Sequence, residues 1–474
     1  MMRRFFLPAM LGAALAGCAS YHPAPIDPAQ NAARLSARSL RDPRLLAFVH
    51  AMQPDAKVST AAAAPARWDL STLTLAALYY HPNLDLARSS LAQARGAIRT
   101  ARQRPNPTLV FQDLSYNQTV RTPSPWTIGP SIEFVIETGG KRAARTAQAR
   151  HLEAAAREDL ATASWQVRSG VRNALIDLWA ARQSLAQSRR NLAVEEQLVA
   201  ATAQRFAAGG AAGFDLAQAR IHRDEARLTT LNAQSREAQA RNALAGAIGI
   251  PVAALHGIAI SFADIEAPQQ PAADIATGAL RKAALTGRSD VQSALADYAA
   301  AEAALQLAIA DQYPDIALAP GYDYSQGDNQ YLLMPTVPLP IFHQNQGQIA
   351  EALAQREQAA AQFTALQDTV LHAIDQAVTE YRASARSLAS AQAIHDEEVR
   401  EFHRMQSAFD TGDADRPSLI AAQLTLTTAT QAKIDALVRQ RRALGSLEDA
   451  LQHPFFAAAA PLPLLTTDPR LSSE

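Results

Sequence analysis

The stretch VRNALIDLWAARQSLAQSRRNLAVEEQLVAATAQRF, residues Val171 to Phe206, carries an apolar residue at every seventh position: Val171, Leu178, Leu185, Leu192, Val199 and Phe206. No proline interrupts it. A strict seven-residue spacing holds one seam of a helix against a neighbour over many turns, and such seams supercoil instead of ending at a compact core. The stripe returns at an offset of 203 residues (374 − 171) as Ile374, Tyr381, Leu388, His395, Phe402 and Phe409, in the same register and with one polar substitution, His395. The correspondence continues past the stripe, pairing Gly209 with Gly412, Asp215 with Ser418, Leu216 with Leu419 and Pro251 with Pro454. The chain is therefore predicted to be a tandem duplication of one long helical unit.

Each copy surrounds its stripe with the same elements. The first repeat, residues 73–251, opens with a helical pattern from Leu73 to about Arg104, stopped by Pro105 and Pro107. Strand-like stretches follow at Thr108 to Asn117 and Thr127 to Glu137; in the second, Ile128, Ile132, Phe134 and Ile136 alternate with Thr127, Ser131, Glu133 and Val135. After Gly139 and Gly140 the long helix runs from Lys141 to about Ala208, where Gly209 and Gly210 end it, and Asp215 is placed to cap a helix from Phe214 to Ile248. A helix of about 31 residues plus one of about 35 nearly equals the long one of about 68, so two short helices stacked end to end match one long helix spanning on the order of 100 Å. A linker at 252–274 leads to the second repeat, 275–453. There the pattern predicts a helix from Ile275 to Asp311, strands at Ile316–Ser325 and Tyr331–Leu339, a long helix from Gln346 to Phe409, and a helix from Ser418 to Leu451. Residues 454–474 contain several prolines and are read as an irregular tail.

Ahead of the repeats, residues 1–17 carry Arg3 and Arg4 and then an apolar run, the pattern of a secretory signal segment. The run ends in Leu15-Ala16-Gly17-Cys18, which resembles a bacterial lipobox, and Cys18 is the only cysteine in the chain. Acyl chains on Cys18 would contribute about 0.8 kcal/mol per buried methylene to membrane anchoring. Ala19, in place of an inner-membrane retention aspartate, favours the outer membrane. Residues 18–72 are proline- and alanine-rich without a sustained apolar face and are read as a lipidated, surface-hugging arm. The net charge of −1 and the absence of a basic patch interleaved with aromatics give no reason to expect nucleic acid.

Beyond the signal segment no apolar run reaches the length of a transmembrane helix, but strands of about ten residues with alternating faces match those of outer-membrane barrels. Four strands cannot close, and an open sheet in lipid leaves edge groups unsatisfied at several kcal/mol each, so strands in the membrane require several copies to share one barrel. The alternative is a soluble sheet capping a helical bundle.

Three motifs narrow the choice: Arg104-Pro105-Asn106-Pro107 before the first hairpin, Glu137-Thr138-Gly139-Gly140-Lys141-Arg142 after it, and the run from Pro338 to Gly347 after the second. With them, residues 70 to 454 resemble the TolC-like outer-membrane efflux proteins, most closely the cobalt-zinc-cadmium resistance branch. His343 departs from the acidic residue of that branch. The resemblance implies a mainly α fold with a small β part, a tandem-repeat α-barrel protomer contributing four transmembrane strands to a trimeric, twelve-stranded barrel. It implies the exit duct of a tripartite pump for heavy-metal cations or drugs, with a periplasmic membrane-fusion adaptor and an inner-membrane RND pump as partners. The docking tip would comprise Phe206, Gly209, Asp215 and Leu216 with Phe409, Gly412, Ser418 and Leu419, and the strand-to-helix turns Gly139, Gly140 and Gly347. A protein-secretion duct and a non-conducting helical lipoprotein scaffold remain as alternatives.

Asp410, Asp413 and Asp415 cluster at the second turn; repeated around a ring, such carboxylates favour cation passage and form a candidate gate, unless they are simply a solvated acidic turn. Lys141 and Arg142 stand at a helix start, where the dipole disfavours cations, so either anionic lipid or plain solvation must compensate. No catalytic residues, cofactor or metal site are expected. His395-Asp396-Glu397-Glu398 lacks the second histidine of a zinc-protease helix, position 399 being Val399, and His395, Glu398 and His403 fit solvated or interhelical roles.

Overall fold

A computed structural model describes residues 20–53, 67–117, 119, 124–267, 278–456 and 469–470. In chain order the elements are α1 Pro28–Ser36, α2 Pro43–Met52, α3 Leu70–Tyr80, α4 Pro82–Arg102, β1 Thr108–Tyr116, β2 Trp126–Ile136, α5 Lys141–Ala207, α6 Gly213–Ile248, α7 Ala263–Glu266, α8 Gly278–Gly287, α9 Ser289–Ala310, β3 Ile316–Ser325, β4 Asp328–Thr336, α10 Gln346–Thr411 and α11 Arg416–Leu451. The two long helices have 67 and 66 residues, so each runs about 100 Å without a break.

Helix α5 is the spine. Along its strand-proximal half it packs between α4 and α9, and along the other half between α6 and α11; α10 lies outside α9 and α11. The lateral order is thus α4–α5–α9–α10 near the strands and α6–α5–α11–α10 near the glycine turns, an open palisade in which end-to-end pairs of short helices alternate with the long ones. The seven-residue stripe is the seam of this arrangement. Val171, Leu178, Ile374 and Tyr381 are buried in the main core. Toward the turns the stripe thins to half-buried Leu185, Leu192, Val199 and His395, and Phe206 is exposed. Two-helix contact covers less surface than the multi-helix core at mid-length.

The first helix of each repeat departs from expectation by being two helices. Between α3 and α4 the chain turns extended at His81, where Pro82 denies the following turn a backbone donor; between α8 and α9 it does so at Arg288 after Gly287. Helix α3 is buried on nearly all sides, from Leu70 to Tyr80, because it sits inside a belt around the middle of the palisade. The N-terminal arm is part of that belt. Asp27 and Asp42 cap α1 and α2, and Leu40, Leu45, Leu46 and Val49 enter the main core, where the sequence showed no continuous apolar face. The linker contributes too: Trp68 pairs with Ile260, Trp179 donates to Glu266 at 2.9 Å, and Arg441 donates to the carbonyls of Ile265 and Ala267 at 2.7 Å each.

All four strands form one antiparallel sheet in the order β1-β2-β3-β4. Strand β4 begins three residues earlier than the pattern of Tyr331 to Leu339 suggested, because Gln326 and Gly327, both at positive φ, make a tight two-residue turn after β3.

Candidate functional site

The register of the sheet sorts its residues into two faces. Leu109 lies opposite Ile132, Leu114 opposite Ile128, Phe134 opposite Leu318 and Ile136 opposite Ile316, so one face is a continuous apolar band. Its side chains are left uncovered by the chain's own helices, with Leu333 63% and Tyr331 87% exposed. The other face is mostly small or polar, as in Val110–Ser131, Val135–Ala317 and Asp323–Gln330. Near the hairpin ends of the band, Tyr116 packs edge-on to Trp126 at 4.9 Å and Tyr322 lies 5.8 Å from Tyr331. An apolar band with aromatics at its margin and a polar reverse face is the pattern of a barrel wall with lipid outside and water inside. No helix among the described residues is long and apolar enough to cross a membrane.

Below the sheet, the motif after β2 works as a lock. The Asp315 carboxylate accepts from the Thr138 amide at 3.0 Å and from Lys141 Nζ at 2.8 Å, while the Thr138 hydroxyl donates to the Pro314 carbonyl at 2.7 Å. Lys141 is therefore buried against a carboxylate of the other repeat, and neither lipid nor water is its main partner. Burial acts to raise the Asp315 carboxyl, but the hydrogen bonds from Lys141 and Thr138 outweigh it and hold it below the usual carboxylate range. Arg145 ties three elements at one point, donating to Glu137 at 2.9 Å and to the carbonyls of Ala101 and Gln103. Gly139 takes φ +64, and a Cβ there would stand 2.8 Å from the Ala310 carbonyl oxygen. Gly140 takes φ +78 just before the helix. In the second repeat the left-handed position is filled by Asn345 (φ 61), whose side chain donates to the Ala308 carbonyl at 2.7 Å. Gly347 lies within the first turn of α10 and is not the turn residue the sequence suggested.

At the far end, Gly209 and Gly412 take φ +74 and +84 and close α5 and α10. The two turns cap their next helices in opposite senses. Asp215 lies inside α6 and accepts from the Ala212 amide at 3.0 Å; it does not precede the helix as its N-cap. Asp415, the counterpart of Ala212, is a true N-cap and accepts from the Ser418 amide at 3.0 Å and the Ser418 hydroxyl at 2.5 Å. These bonds, with the nearby charge of Arg205 from the first turn, hold the Asp415 carboxyl below its ordinary value. Asp413 accepts from Thr411 and Asp410 from Gln406, so each of the three exposed acidic groups has a local partner. Leu216 is buried beneath its turn and Leu419 half-buried, Phe409 is half-buried, and Phe206 and Phe214 are both exposed. Cys18 lies outside the described residues.

The family model for outer membrane efflux proteins matches residues 74–250 and 280–452, one match to each repeat. The chain belongs to the outer membrane efflux protein family. It is similar to the cobalt-zinc-cadmium resistance protein CzcC of Cupriavidus metallidurans, 26% identical over 73% of this chain and 81% of the relative. It is likewise similar to the pyoverdine export outer membrane protein OpmQ of Pseudomonas aeruginosa, 28% identical over 77% of this chain and 81% of that protein. Among solved structures, the outer membrane protein VceC of Vibrio cholerae superposes with a TM-score of 0.65 at 22% identity, covering 81% of this chain and 96% of that one. CusC gives 0.65 at 19% identity, covering 81% and 90%. The fold is that of the TolC-like efflux channels, and the chain is an outer-membrane efflux duct.

This efflux-family protomer also contains a charge network that the sequence did not disclose. Glu448 of α11 is fully buried and accepts from Arg168 at 2.9 Å, from Arg172 at 2.7 Å and from the amides of Phe455 and Phe456. Arg172 also donates to Asp449 at 2.6 Å. The cluster pins the end of the second repeat onto the spine of the first. Its members are separated by about 280 residues, and nothing in a sequence of exposed-looking arginines and glutamates marks which few are buried.

Proposed function

We propose that three copies of this chain close one barrel in the outer membrane and one helical tunnel below it, forming the passive exit duct of a tripartite RND-type pump. The observation that carries this reading is the sheet: a lipid-type apolar band on one face, and unpaired edges on β1 and β4 that only further strands can satisfy. The palisade is open in the same way, with α4 and α6 at one border and α10 at the other. A border that differs from its partner border closes head to tail into a ring. Acyl chains on Cys18 anchor the arm, and energy comes from the inner-membrane pump.

The tip formed by Phe206, Gly209, Asp215 and Leu216 with Phe409, Gly412, Ser418 and Leu419 receives the periplasmic adaptor, and the exposed Phe206 and Phe214 extend that surface. Asp410, Asp413 and Asp415 would ring the inner mouth, with Arg205 tempering their charge. The names of the two relatives suggest heavy-metal cations or an organic exported compound as cargo. The test of the duct is single-channel recording of the purified protein in planar bilayers. Stepwise conductance is expected, with cation selectivity reduced in an Asp410→Ala, Asp413→Ala, Asp415→Ala series; unchanged selectivity would remove the gate, and absence of conductance would favour the scaffold. Restoring cobalt, zinc or cadmium tolerance to a duct-deficient host carrying the cognate adaptor and pump would identify the cargo as metal.

A further inference from the structure

The strand–helix junction holds a groove whose arginines are answered by no partner among the described residues. It has a volume of about 830 Å³ and is lined by Arg102, Arg104, Arg142 and Arg150 around the end of β2 at Val135 and Ile136. None of these four guanidinium groups has a hydrogen-bond or ion-pair partner among the described residues. The other charged groups of the groove, Glu137 and Lys141, are engaged by Arg145 and Asp315. The groove opens toward the border of the sheet, because β1 pairs with β2 only as far as Thr108 opposite Glu133 and leaves the end of β2 uncovered on that side.

The opposite border carries the converse. Ala317 joins Val135 on one side to Thr336, the last residue of β4, on the other, so the chain leaves β4 at the level of the groove. It then runs through Val337 to His343 before α10, with Leu339, Ile341 and Phe342 standing 75%, 69% and 99% exposed. Pro338 and Pro340 have no amide proton, and from Pro338 to Phe342 the backbone bond among the described residues is Ile341 N–H to the Leu339 carbonyl at 2.8 Å. One border thus presents donors without acceptors around the apolar end of β2, and the other presents acceptors without donors on a segment bearing apolar side chains. Buried groups of either kind cost free energy until paired.

We propose that the Val337–His343 segment of one copy seats in the arginine-lined groove of the next, its carbonyls accepting from the guanidinium groups and its apolar side chains covering the exposed Ile136 at the end of β2. This rests on the ring reading above and names the clasp that closes it. Residues Ala143, exposed in the groove, and Phe342 test it as a cysteine pair. On oxidation of the full chain purified in detergent, Ala143→Cys with Phe342→Cys is expected to give a covalent ladder ending at three chains on a denaturing gel, while either single variant gives none. A particle of three chains by mass that yields no ladder would overturn the clasp and leave the ring standing; a single-chain particle would overturn both. A ladder abolished by adding phosphatidylglycerol would assign the groove to lipid phosphate and also defeat the proposal. Replacing Arg102, Arg104 and Arg150 by Gln is expected to lower the temperature at which the assembly dissociates, and no change would count against the paired carbonyls.

Discussion

Gly139 meets two demands at once: a left-handed backbone at φ +64 and a space in which an added carbon would press on the Ala310 carbonyl at 2.8 Å. Its neighbour Gly140 meets only the first, with open space around it. Gly139→Ala is therefore expected to destabilise by about 1–3 kcal/mol and Gly140→Ala by the lower part of that range, measured by heat dissociation of the purified protein. Asp315 turns the same junction into a pH-dependent contact. A carboxyl held below its unfolded value contributes stability that is complete above about pH 4 and lost as pH falls through its lower folded value. Asp315→Asn is expected to weaken the junction at neutral pH and to show a smaller further loss on acidification than the parent; parallel acid profiles would contradict the role given to Asp315. Glu448 has the largest expected effect of a single side chain. Glu448→Gln leaves the buried Arg168 and Arg172 short of a countercharge, at a cost of about 3–5 kcal/mol in denaturant unfolding.

Among the elements, the long helices, their glycine ends and the strand faces were legible because each is written in a local period. The seven-residue stripe and the turn motifs flanking it placed α5 and α10 to within a few residues, and the two-residue alternation of Ile316–Ser325 matched β3 as observed. What escaped depends on partners distant in sequence. The helical pattern from Leu73 ran straight through the break at His81 and gave no sign that α3 is buried on nearly every side, and α2 contributes Leu45, Leu46 and Val49 to a core built mostly by other segments. The lock was visible as a motif but not as chemistry, since Asp315 lies 174 residues from Lys141. His395 is the polar member of the seam. It sits half-buried, 3.1 Å from Asp396 and 3.4 Å from Lys433, where the first repeat has Leu192. His395→Leu is expected to raise stability by about 1 kcal/mol through added apolar burial. A loss on heating would show that the imidazole is held by those two charges for a purpose the seam alone does not explain.

At the scale of the whole molecule, the proposed ring makes one chain a fragment of a closed object. Its sheet ends in bare edges, its palisade ends in unlike borders, and its apolar band lies exposed among the described residues. The equatorial belt of α2 and the described part of the linker packs on one chain's own helices, so it shapes the protomer before assembly. The mass of the full-length particle in detergent tests the central claim most directly. Three chains per particle are expected; a stable particle of one chain would mean that a four-stranded sheet survives without closure, which contradicts the reading of its edges and of the duct built on them.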